Sequence, residues 1–258
     1  MHRCYPGVVS TELFSTYARE TRAAVARSLH LPASAFDREQ LTFVDRQDSN
    51  PSFTLKATTF GTGTVISIDP AYRQFAEANA PAKHYRAMSA PYLRSIAEEG
   101  KERGEELQVS GPGLGFTIGT EPPDLPLPAG FQLREHDADW MAAEQQNHRF
   151  ENGVGDPGEG REASNRFALA FYDASGVLAA VAGAFETYGM LEIGMDVARP
   201  YRGRGLGRLA VSRLAREIMH RGETPFYSCA ATNIRSHLTA ESSGFRAIMS
   251  RATVAPAG

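Results

Sequence analysis

The sequence has little cysteine, little lysine and no long apolar run. Cys4 and Cys229 are its only cysteines and stand far apart, so a disulfide scaffold or a zinc knuckle is excluded and a reducing, cytoplasmic setting is expected. No uncharged apolar stretch approaches the ~18–20 residues of a membrane span. The longest, 176–185, has half that length. The N-terminus reads Met-His-Arg-Cys-Tyr-Pro with no apolar core behind it, unlike a secretory signal. Three lysines stand against 24 arginines. His136, His148 and His220 show no ligand-like spacing, so no metal is expected.

The 258 residues carry a net charge of −3, which argues against a nucleic-acid binder. The charge is unevenly placed. Between Arg199 and Arg221 seven arginines face one acid, Glu217. A polyanionic ligand, if there is one, would bind in that stretch.

Four prolines in Glu121–Gly130 can build neither helix nor central strand. They predict a stiff linker over 121–129 between an N-terminal α/β domain (1–120) and a second domain (130–258). The second half reads β-α-β-β-β-α-β-α-β, an α/β domain with a mixed sheet. Its strands are expected at 131–135, 167–172, 177–187, 190–197, 226–230 and 245–254, with helices at 137–148, 205–221 and 233–243. Residues 151–164, rich in glycine, are expected to be loop. In the first half, helix is expected at 11–29 and 90–103, with strands at 41–46, 53–59 and 65–69. That order echoes the second half, and the N-terminal domain reads as a degenerate repeat without an anion site.

The informative stretch is Met195-Asp-Val-Ala-Arg-Pro-Tyr-Arg202-Gly203-Arg204-Gly205-Leu206-Gly207-Arg208. A strand runs into three alternate glycines and then a helix. Glycine permits φ > 0 and close approach of a ligand to the backbone. The first helical N–H groups have no intrahelical partners and carry the positive end of the helix dipole. With Arg202, Arg204 and Arg208 they make a phosphate or pyrophosphate cradle. A dinucleotide fingerprint would need G-x-G-x-x-G and an acid ending the next strand; the spacing here is G-x-G-x-G, and that strand ends Cys229-Ala-Ala-Thr-Asn233. A P-loop would need Gly-Lys-Ser/Thr, which is missing.

Arg202-x-x-Gly205-x-Gly207 after a strand ending at Val197 resembles the coenzyme-A-binding motif of the GNAT superfamily of N-acyltransferases. Asn233-x-x-Ser236 followed by seven residues and Gly244-Phe245 is similar to a second segment of that family. The resemblance covers about 130–254. It implies a GNAT-type central sheet, with strands 190–197 and 225–230 splayed so that their backbone groups meet the pantetheine of acetyl-CoA. It also implies transfer of the acetyl group by direct attack of a primary amine, on a small-molecule acceptor, with no nucleic acid or membrane partner; homodimerisation is left open. Glu192, on the strand face shared with Gly194 and Asp196, is the first candidate base and Asp196 the second. The Val197 N–H is the candidate oxyanion donor. Residues 202–208, Val197, Asn233 and Ser236 are the candidate cofactor contacts. The family's usual Tyr general acid falls at Ala240; a thiolate leaves readily enough for its loss to be tolerable, and Tyr201, Tyr227 or Ser236 could substitute. The chain also ends after six strands of this domain, where the family has seven, so the N-terminal half is expected to complete the sheet or the acceptor pocket. The layout is similar to that of acetyltransferases of the zwittermicin-resistance type. Two other readings stand beside this one: a nicotinamide-dependent oxidoreductase, which the glycine spacing disfavours, and a non-catalytic acyl-CoA sensor, which Ala240 favours. Finally, the acids of 151–164, Glu159 and Glu162 among them, suit an acceptor of more than one positive charge.

Overall fold

The computed structural model describes residues 11–47, 52–155 and 164–257. They form two compact units, neither continuous in sequence. The first joins the described residues up to Thr21 with Phe116–Ser228 and Ile234–Arg246; the second joins Arg22–Gly115, Cys229–Asn233 and the described residues from Ala247. The units therefore interleave along the chain, whereas the proline-rich stretch suggested a cut at 121–129. That stretch belongs to the first unit. Proline has no N–H but keeps its carbonyl, and backbone carbonyls here take arginine donors: Arg213 donates to the Leu125 oxygen at 2.7 Å and Arg216 to the Pro122 oxygen at 3.1 Å.

In the first unit the elements run β5 (Phe131–Asp137), α4 (Ala138–Gln145), α5 (Glu151–Val154), β6 (Asn165–Asp173), β7 (Leu178–Thr187), β8 (Met190–Val197), α6 (Leu206–His220), β9 (Pro225–Ala230) and α7 (Ile234–Ser242). Strands β5 to β8 pair antiparallel in sequence order, and β9 joins β8 in parallel. This is the mixed α/β sheet expected from the sequence. Local chemistry sets the boundaries. The Asp137 side chain accepts the Trp140 N–H at 2.9 Å and caps α4. The Asp173 carboxylate accepts the Ser175 and Val177 N–H groups at 2.9 Å, and Gly176 takes φ 81°, which closes the β6–β7 hairpin. Helix α6 buries Leu206, Leu209, Leu214 and Ile218, one stripe at helical spacing.

The expected loop over 151–164 needs correction. Residues 151–154 are helical, as α5. The glycine that argued against helix there is a packing device: a Cβ on Gly153 would lie 2.8 Å from the Val181 oxygen.

The second unit holds β1 (Leu41–Asp45), β2 (Leu55–Thr59), β3 (Thr64–Ile68), α2 (Pro70–Ala78) and α3 (Ala90–Glu102). Strand β1 pairs parallel and β2 antiparallel with β3. The far end of β10 (Phe245–Pro256) pairs antiparallel with β2, Ser250–Val254 against Leu55–Thr59. The N-terminal half thus receives the last strand of the chain and gives it a partner. Leu55, Ile66, Ile68, Tyr72, Ile96 and Val254 share its core. Two of its elements escaped the sequence reading: α2, and β4 (Leu107–Ile118), which spans both units.

Candidate functional site

Strand β8 organises the site. Its parallel register with β9 covers Leu191↔Pro225 and Glu192↔Phe226 only, so among the described residues the two strands part beyond Glu192. The alternation of backbone groups tells which way β8 faces there. The Leu191 N–H donates to the Thr224 oxygen at 3.0 Å, on the β9 side, and the Ala198 N–H to the Ala179 oxygen at 2.9 Å, on the β7 side. By parity the N–H groups of Ile193, Met195 and Val197 point to the parted side. The Val197 carbonyl accepts Arg202 Nε at 3.0 Å.

The loop after β8 enters α6 through Gly205, which stands at the N-cap with φ 78° and ψ 0°. Gly203 also has φ 78°, and a Cβ built on either glycine would meet no protein atom within 4 Å. Both glycines thus border open space, in a backbone region that side chains rarely adopt. Gly207 differs: its Cβ would lie 2.9 Å from Met195 Cε, so its role is to bring α6 close to β8. The Leu206 side chain is buried, which leaves only its backbone for a ligand. The arginines are partly engaged within the protein. Arg208 Nε donates to the Ser242 carbonyl at 2.8 Å, at the C-terminus of α7, and Arg204 lies 5.6 Å from the Tyr201 ring centroid.

Glu192, half-buried, accepts Thr187 Oγ1 on one carboxylate oxygen at 2.9 Å and Ser228 Oγ on the other. Thr187 and Ser228 were not singled out from the sequence; hydroxyls at strand ends give no signal until the register is known. Asp196 has a different place. Its carboxylate accepts the Asn152 N–H at 2.7 Å and Asn152 Nδ2 at 3.0 Å, so both oxygens hold α5. Between the two acids, a Cβ on Gly194 would collide with the Asn152 carbonyl, and one on Gly183, its partner in register, with the Gly153 carbonyl. Helix α5 therefore lies against the bare backbone of β7 and β8, on the face that carries Glu192.

Among the candidate acids, Tyr201 is committed elsewhere. Its hydroxyl donates to Asp173 Oδ2 at 2.5 Å. That bond raises the phenol above its ordinary range and draws the Asp173 carboxyl down to about 2. Tyr227 OH and Ser236 Oγ lie 2.7 Å apart, so two of the three candidates form one hydroxyl pair. Ala240, at the position of the family's Tyr, is fully buried. Asn233 falls in the 229–233 segment grouped with the second unit, where its N–H donates to the Ala230 oxygen at 2.9 Å. Glu159 and Glu162 lie outside the described residues.

Comparisons with known proteins found one family model and a set of solved structures. Residues 169–254 match the family model described as FR47-like protein. No curated protein matches the chain. Among solved structures, a putative GNAT-family acetyltransferase from Novosphingobium aromaticivorans is 22% identical, with a TM-score of 0.43 over 62% of this chain and 81% of its own. A GCN5-related N-acetyltransferase from Kribbella flavida is 16% identical, with a TM-score of 0.48 over 93% of this chain and 96% of its own. A tandem GNAT protein from the clavulanic acid biosynthesis pathway is 16% identical, with a TM-score of 0.44 over 69% and 72%. The match to the FR47-like family model, residues 169–254, takes in β8, the glycine–arginine loop and α6.

Proposed function

We propose that the first unit is an acetyl-CoA-dependent N-acetyltransferase acting on the primary amine of a small molecule. One observation carries the reading. Strand β8 leaves β9 after Glu192 and leads, through the loop 198–205, into a helix start whose two left-handed glycines border open space. The donor set suits a coenzyme pyrophosphate: free N–H groups at the start of α6, glycines that leave the backbone accessible, and Arg202, Arg204 and Arg208 around them. The outward N–H groups of Ile193 and Met195 suit the pantetheine amides. When bound, acetyl-CoA supplies an acetyl group activated as a thioester, whose thiol has an ordinary pKa of ~8.5 and so leaves readily as thiolate.

The chain's own groups then have distinct tasks. A primary amine that arrives as an ammonium ion must lose a proton before its lone pair can attack, and Glu192 receives it, with Ser228 and Thr187 holding the carboxylate in place. The Val197 N–H donates to the acyl oxygen as negative charge gathers there. The Tyr227–Ser236 pair returns a proton to the leaving sulfur. Asp196 keeps α5 against the sheet and thereby shapes the wall beside Glu192.

Calorimetric titration with coenzyme A, paired with thiol release from acetyl-CoA across a panel of amines, tests the reading. Wild-type protein binds and turns over. Gly205→Val, with its circular dichroism retained, loses binding, because the new side chain occupies the space that the phosphates need. Absence of binding by the wild type refutes the cofactor assignment; binding without turnover of any amine makes the protein an acyl-CoA sensor.

A further inference from the structure

Two primary amides lie buried beside the site, and most of their hydrogen-bonding capacity is unused. Gln145, at the end of α4, is 1% exposed, and Asn165, at the start of β6, is 5% exposed. Gln145 Nε2 donates to the Val154 carbonyl at 2.6 Å. That carbonyl needs a donor, which fixes the orientation of the amide and leaves Gln145 Oε1 as the atom without a partner among the described residues. Among the described residues neither Asn165 Oδ1 nor Asn165 Nδ2 has a partner, and turning that amide over exchanges one donor and one acceptor for the same pair. The two side chains meet at Gly155: a Cβ there would lie 2.7 Å from Gln145 Nε2 and 3.7 Å from Asn165 Oδ1.

Their place relative to the chemistry follows from the register. Asn165 is opposite Phe185, and Phe185 is opposite Glu192. Directly opposed residues share one face of a sheet, so Asn165, Phe185 and Glu192 form a row across three strands. Neighbouring strands lie ~4.8 Å apart, which sets Asn165 roughly 10 Å from Glu192 along that row.

Buried polar groups are ordinarily paired, and three orphaned atoms in one cluster point to a missing ligand. We propose that Gln145 and Asn165 recognise the far end of the acceptor, a neutral group with donors and an acceptor, of which a primary carboxamide is the simplest. This rests on the transferase reading only in naming the ligand an acceptor. The atoms choose the chemistry. The two oxygens require donors, and Asn165 Nδ2 requires an acceptor. A carboxylate would set oxygen against oxygen. An ammonium would leave Asn165 Nδ2 orphaned and bury a charge without a counter-ion. The acidic residues of 151–164 lead to the opposite expectation, a second positive charge, so the two ideas can be separated.

The test has two readouts. The first is kcat/KM by thiol release from acetyl-CoA with 4-aminobutanamide, 1,4-diaminobutane and 4-aminobutanoate. The second is the side-chain NH₂ resonances of Gln145 and Asn165 in the free protein, titrated with butanamide. The amide should exceed both competitors by roughly tenfold or more, as expected when buried partners are otherwise left unmet. Asn165→Asp keeps the shape, removes the donor and should erase that margin, and butanamide should move both NH₂ signals in the wild type. If amines are acetylated without this preference and the signals stay still, the subsite is refuted and the transferase reading stands. If the signals move and no amine is acetylated, the subsite stands and the transferase reading falls. A clear preference for the diamine with unmoved signals assigns recognition to the acidic residues and overturns the proposal.

Discussion

Gly194→Ala should be the most informative single change in the first unit. The added methyl collides with the Asn152 carbonyl, and α5 would have to retreat by about 1.5 Å to reach ordinary van der Waals contact. Overpacking of this kind costs ~1–3 kcal/mol. Retreat also stretches the bonds from Asn152 to Asp196, and hydrogen bonds to a charged group contribute ~1.5–3 kcal/mol. Because these carboxylate bonds are partly open to water, the lower end applies, and a total of ~2–3 kcal/mol is expected. At ~2–4 °C per kcal/mol for a body of this size, the melting temperature should fall by roughly 4–12 °C. The melting experiment is best run as a cycle with Asp196→Ala. If both residues act by holding α5, the double variant loses less than the sum of the singles. Kinetically, KM for the amine should rise while coenzyme A affinity stays, since α5 lies on the Glu192 face and the glycine–arginine loop does not. A Gly194→Ala protein with the wild-type melting temperature and strict additivity with Asp196→Ala would refute the idea that bare backbone holds α5 in place.

Two further expectations are simpler. Tyr227→Phe with Ser236→Ala should lower kcat by ~10²-fold or more if that pair is the proton donor, whereas Tyr201→Phe should leave kcat alone, because the Tyr201 hydroxyl serves Asp173; equal effects would reverse the assignment. His136 is stacked on Trp140 at 4.1 Å and bonded to the Tyr172 hydroxyl at 2.9 Å, and burial, then Arg134, pushes its imidazole below the ordinary 6.5. The unfolded chain therefore takes up this proton first, so the contribution to stability is present above pH 6.5 and is lost as the pH falls below that value. His136→Gln should flatten the melting temperature between pH 7 and pH 5, and an unchanged slope would show that His136 is not its source.

Much of this was legible in the sequence where one local signal sufficed. Strand β8 falls at 190–197 as read from its alternation, and α6 begins within the glycine run, just after Gly205. Helix α5 was hidden because Asn152-Gly153 carries no helical propensity; contact with β7 and β8 makes it, through Asp196 and the gaps at Gly183 and Gly194. Strand β4 was hidden because its first half is largely exposed, with Gly111, Pro112 and Gly113 breaking any alternation. Helix α2 did leave a signal: Asp69 before Pro70, with the Asp69 side chain accepting the Ala71 N–H at 2.9 Å. At the site, Glu192 was readable as an acid on the right strand. Its hydroxyl partners, the tie between Asp196 and Asn152, and the unpaired amides depend on register and long-range packing, and no spacing rule encodes them.

The interleaving of the two units has a consequence for biosynthesis. A chain emerging N-terminus first completes 22–115 well before residue 247 is made, and it is 250–254 that cover the β2 edge and bring Val254 into that core. At ~5–20 residues per second the wait is roughly 7–26 s. Throughout it, β2 presents unpaired backbone and an unfinished apolar face, the features that recruit wrong partners. The second unit can therefore close only after the first has been synthesised, and a nascent chain stalled before residue 247 should be held open, exposed to aggregation and to chaperones.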